Sequence, residues 1–140
     1  MSNKIVFLSR FINEFIGKGT KRKNSNNSID NIARQINSVS KKQFEKKLVF
    51  THDEILQAFS ENGFLVSNNF DEEFCWEKFH NNTLLSKTYF INVKTANLRR
   101  LTLTNLAKHR DNWSDDTKLD VISLKAKVSD FWNNNKDILK

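Results

Sequence analysis

The chain has 140 residues, a formal net charge of +7, twelve Phe, three Trp, a single Cys and no Pro. One Cys excludes an internal disulfide framework, and no stretch approaches the roughly 18–20 apolar residues that span a bilayer. Three glycines, at positions 17, 19 and 63, cannot write a P-loop or a dinucleotide fingerprint.

The charge is polarised. Residues 1–50 carry eleven Lys and Arg against three acids, whereas residues 51–140 carry twelve against thirteen. A basic end implies a negatively charged partner: nucleic acid, an acidic protein or an anionic membrane.

Residues 4–16 read as an amphipathic helix, with Ile5, Leu8, Ile12 and Phe15 at 3-4-3 spacing, widened by Phe11 and Ile16. The stripe needs a partner, since a helix this short is marginal alone. Its own core is the first expectation; a second copy of the chain or another protein would use Ile5, Leu8, Phe11, Ile12 and Phe15 as an interface. The opening run Ile5-Val6-Phe7-Leu8 is too short for a secretory segment, so the cytoplasm is the expected location.

Residues 17–28 hold two glycines, four Lys or Arg and no apolar side chain. With nothing to bury, they read as a mobile, solvated linker. A second helix is expected from Ser28 to about Lys46, with Ile29, Ile32, Ile36 and Val39 on one side and Arg34 and Lys41 opposite. Leu48-Val49-Phe50 suits a short strand. Thr51-His52-Asp53-Glu54 is a capping box, opening a helix that buries Ile55, Leu56 and Phe59 and stops at Asn62-Gly63.

From Phe64 to about Leu103 the pattern is β-like: Phe64-Leu65-Val66, then Phe74 and Trp76, then Tyr89, Ile91 and Val93, with turns at Ser67-Asn68-Asn69 and Asn81-Asn82-Thr83. Leu101 and Leu103 fit either strand or helix. Ser114, Asp115 and Asp116 open a last helix to about residue 133, with Val121, Leu124, Val128 and Phe131 as its stripe and Trp132 alongside.

Strands bunched between helices indicate an α+β fold, a small antiparallel sheet packed with helices behind a basic helical N-terminal segment. A winged-helix-like variant is compatible with the helix and hairpin at 52–95. The division expected is a basic segment, 1–47, with its linker at 17–28, and an α+β domain, 48–140.

Phosphate contacts need charge and reach rather than fixed spacing. Lys18, Lys21, Arg22 and Lys23 in the arm, continued by Arg34, Lys41, Lys42, Lys46 and Lys47, meet that need, and Arg99-Arg100 forms a smaller second patch that could clamp a phosphate or pair with the 71–77 acids. The acids Asp71, Glu72, Glu73 and Glu77 lack a nuclease-type partner, because Asn92-Val93-Lys94 places an amide where a metal-binding carboxylate is required. His52, His80 and His109 are scattered, and Cys75 with His80 makes an incomplete metal set. Trp76, Tyr89 and Phe90 could stack bases, but Phe-rich chains mostly use such rings in the core. No catalytic residue, metal or cofactor is expected.

The favoured expectation is a small non-enzymatic regulatory or accessory protein, of the kind a phage or plasmid encodes, that binds DNA or RNA through its basic third. The alternative is an inhibitor or adaptor that uses helix 4–16 against an acidic protein or a second copy. Peripheral membrane association ranks third.

Overall fold

The computed structural model describes residues 2–22, 25–46, 48–67, 89–106 and 110–140. Ser2 caps α1 (Asn3–Phe15) by accepting from the Lys4 amide. The apolar stripe of α1 is buried against α3 and the closing 3-10 turn Lys136–Leu139. Phe7, Phe11 and Phe15 form an aromatic cluster with Phe44 and Phe131, with ring centroids 5.1–6.0 Å apart. Trp132 stacks on Phe44 at 5.0 Å. Such edge-to-face and stacked pairs add to plain area burial.

This places the α1 stripe where it was first expected, on the chain's own core. Ile5, Leu8, Phe11, Ile12 and Phe15 are all buried in the chain's own core, Phe11 with 2% exposure, so they present no interface to another molecule. One apolar cluster draws on Ile5 to Phe44 and on Phe50 to Trp132.

α2 (Ile29–Gln43) buries Ile29, Ile32, Ala33, Ile36 and Val39 as its period requires, and it ends three residues before the expected Lys46. Leu48-Val49-Phe50 is not a strand. Instead Asn37 pairs with Phe50 as a peptide would, donating to its carbonyl (3.0 Å) and accepting from its amide (2.8 Å), while Ser40 donates to the Leu48 carbonyl. Side chains of α2 thus satisfy a backbone that lacks a sheet partner.

α3 (His52–Glu61) opens on the expected capping box: Thr51 accepts from the Glu54 amide and Glu54 from the Thr51 amide. It closes on Gly63, whose φ of +80° suits a residue without Cβ. The Gly63 amide donates to Ser60 and the Phe64 amide to Phe59, and the rings of Phe59 and Phe64 meet at 4.9 Å. That is the paired hydrogen-bond stop with its apolar clasp.

β1 (Val66–Ser67) and β2 (Phe90–Ile91) pair antiparallel, Val66 opposite Ile91 and Ser67 opposite Phe90. The α+β class therefore holds, with a sheet of two short strands among the described residues. Ser67, expected in a turn, lies in β1. The expected strand at Phe74–Trp76 and the turn at 81–83 lie outside the described residues. Leu101 and Leu103 belong to α4 (Thr95–Leu103), where Leu98 and Leu101 are buried one turn apart. α5 (Asp115–Asn135) is capped by Ser114 and buries Val121, Leu124, Val128, Phe131 and Trp132.

The described ends of the 17–28 stretch pair with the backbone of residues 89–94. Lys18 bridges to Val93 and Ser28 to Phe90. The Gly19 amide donates to the Asn92 carbonyl at 2.6 Å, Asn27 donates to the Ile91 carbonyl at 3.0 Å, and the Ile29 amide donates to the Tyr89 carbonyl at 2.8 Å. A Cβ on Gly19 would lie 2.8 Å from the Val93 carbonyl oxygen, so the approach of the two backbones requires glycine there. Polar groups, not apolar side chains, dock this stretch on residues 89–94.

Candidate nucleic-acid interface

Burying one face of α2 turns the other outward. Arg34 and Lys41, two turns apart, are exposed, with Lys42 alongside. These three line a surface depression of about 500 Å³ together with Asp30, Asn37 and His52. Arg34 to Lys42 covers about 12 Å of helix axis.

On the other side of the α2 ridge, Arg34 donates to the Asn31 amide oxygen at 2.5 Å. Asn31 lines a second cavity, of about 190 Å³, with Asn26, Gln35, Thr95, Ala96 and Arg99. Asn26, Thr95 and Ala96 in turn wall a third, of about 420 Å³, which Arg22 and Lys94 flank. The second and third thus share a wall, and the Arg34–Asn31 hydrogen bond links the first to the second; together they make up a cationic track. Arg22, Lys94, Arg99, Arg34, Lys41 and Lys42 line it, and none of them forms an ion pair with a described residue. Asp30 is the one acid among the residues lining the track, and it faces His52 at 3.6 Å.

Local geometry explains why the cations divide as they do. Lys4 is not available to a partner: its ammonium donates to the Val49 carbonyl (2.8 Å) and to Glu54 (3.0 Å). Burial raises the Glu54 pKa, but the Thr51 amide and Lys4 outweigh that and hold it below its ordinary value. Arg100 forms a two-pronged pair with Asp120, at 2.8 and 2.5 Å. That hydrogen bonding lowers the carboxylate pKa and raises that of the guanidinium. The Arg99-Arg100 patch is therefore split, with Arg100 holding α4 to α5 and Arg99 on the track.

Of the residues singled out in the sequence, the track gathers Arg22, Arg34, Lys41 and Lys42. Lys18 lies apart, its ammonium 5.5 Å from the Phe64 ring centroid. Lys21 and Lys46 are exposed but line none of the three cavities. Lys23 and Lys47 lie outside the described residues, as do the 71–77 acids, Cys75, Trp76, His80 and His109. Sequence reading missed Lys94, which stands alone among strand-like residues; only the fold brings it to the α4 N-terminus.

Among the described residues no group of three or more His, Cys, Asp or Glu could hold a metal ion. No described helix is long and apolar enough to cross a membrane. No family model matches the chain, and comparison with curated proteins and with solved structures yields no match.

Proposed function

We propose that the chain binds nucleic acid electrostatically, through the track formed by α2, the 19–27 stretch and the start of α4. The supporting observation is that six cations without an acidic partner among the described residues line three surface depressions, two of which share a wall. The α2 segment alone is long enough for about three to four phosphates of one strand. The interleaved Asn, Gln, Ser and Thr side chains suit phosphate and sugar oxygens, contacts that position a nucleic acid without reading its sequence. The role is non-enzymatic, regulatory or accessory, and cytoplasmic; the adaptor reading built on α1 loses its surface to the core.

Fluorescence anisotropy with a random-sequence duplex tests it. Replacing Arg34, Lys41 and Lys42 together with Ala should weaken binding at least tenfold, about what three lost phosphate contacts imply. Replacing Lys125, Lys127 and Lys136, which line none of the cavities, should cause only a small loss. Equal losses would reduce the effect to net charge and reject the track, and no binding by the wild type at low salt would reject the function.

A further inference from the structure

The first turns of α2 and α3 meet at the 500 Å³ depression. Asp30, the second residue of α2, holds its Oδ1 3.6 Å from the Nε2 of His52, the first residue of α3. Neither side chain serves as a cap for its own helix: Ser28 caps α2, and Thr51 with Glu54 caps α3. The His52 side chain is 53% exposed and that of Asp30 73%. An ion pair so open to water adds little to folding. Its effect falls instead on whatever enters the depression.

The pair sits among cations. Arg34, Lys41 and Lys42 of α2 line the same depression, and Asp30 is the one acid among the residues lining it. On α3 itself Asp53 follows His52, while Glu54 is engaged by Lys4 of α1. β1, which also packs on α3, brings only Val66 and Ser67. The depression therefore has two charge states. With the imidazole neutral, three cations stand against one carboxylate; with it protonated, four cations do.

Imidazole is the side chain whose charge ordinarily changes between about pH 5 and 8. A backbone phosphate is drawn more strongly to the more positive state, and by reciprocity its arrival favours that state. We propose that the Asp30–His52 pair makes nucleic-acid binding at α2 dependent on pH, the protonated ring offsetting the carboxylate that otherwise repels a phosphate. Affinity then rises as pH falls, and binding takes up a proton wherever the free ring is neutral. This regulation rests on the nucleic-acid reading of the track.

The test measures the full chain's affinity for the random-sequence duplex at about pH 5.5 and about pH 8, either side of the imidazole range. A salt series is run at each pH for the wild type, His52→Gln and Asp30→Asn. The wild type should bind about two- to fivefold tighter at the lower pH, with a salt slope steeper by about 0.9, the share of one phosphate. His52→Gln should match the wild type at the higher pH and lose most of that gain. Any part due to His80 and His109 persists in both proteins and sets the baseline. Asp30→Asn should bind at the higher pH about as tightly as the wild type does at the lower one. Calorimetry midway between, in two buffers of different ionisation enthalpy, should show proton uptake on binding that His52→Gln lacks. Equal wild-type affinity at both pH values, a gain that His52→Gln retains in full, or Asp30→Asn binding no tighter than the wild type at the higher pH overturns the switch and leaves the track intact. No binding at either pH rejects the switch together with the nucleic-acid reading.

Discussion

Glu54 takes part in three interactions at once: it caps α3, receives Lys4 from α1, and through Lys4 ties both to the Val49 carbonyl. Its pKa is held below the ordinary 4.5, so the unfolded chain binds the proton more readily. The stability this contributes is complete above the unfolded value and disappears as pH falls through the folded one. Glu54→Gln should therefore lose stability at neutral pH but little in acid, seen as a flatter acid limb in urea midpoints against pH. A parallel shift at every pH would contradict the linkage. Gly63 offers a second check at this scale. Gly63→Ala should destabilise by about 1 kcal/mol, from the positive φ, and an unchanged urea midpoint would contradict the αL stop. The Asn residues are the least legible in the sequence. Asn27, Asn37 and Asn92 resemble turn or linker residues, yet Asn37 replaces a strand partner for Phe50 and Asn92 accepts from the Leu65 amide at 2.8 Å. An amide side chain carries no periodicity that would announce such a role.

Among the elements, those with an apolar period are legible in the sequence alone. The stripes of α1, α2, α3 and α5 emerge nearly intact because burial on one face imposes a 3.6-residue repeat. The docking of residues 17–19 and 27–29 on 89–94 does not, since backbone pairing leaves no side-chain pattern and the stretch has nothing apolar to signal it. The destination of the α1 stripe is also open in the sequence, because an amphipathic helix looks alike whether it faces its own core or a partner. Phe11 decides between them. Its ring packs on Phe15, Phe44 and Phe131, so Phe11→Ala should cost about 3–5 kcal/mol in global unfolding. Loss of self-association with an unchanged unfolding midpoint would restore the interface reading. Gly19→Ala should loosen the docked stretch, and it should speed hydrogen exchange at the Gly19 position relative to α5; unchanged protection would show that the close approach is dispensable.

For the molecule as a whole, the polarised charge of the sequence becomes a polarised surface only after the fold has sorted it. Lys4 and Arg100 are drawn into structural pairs, Arg99 and Lys94 join the track from the second half of the chain, and α2 holds three cations outward by burying its opposite face. The salt dependence of duplex binding tests this most directly, because each phosphate neutralised by the protein contributes about −0.9 to the slope of log K against log salt. Six engaged cations predict a slope of about −5 for the wild type, falling to about −3 when Arg34, Lys41 and Lys42 are replaced with Ala. A slope near zero for the wild type, or one that the triple replacement leaves unchanged, would contradict the track as the binding surface.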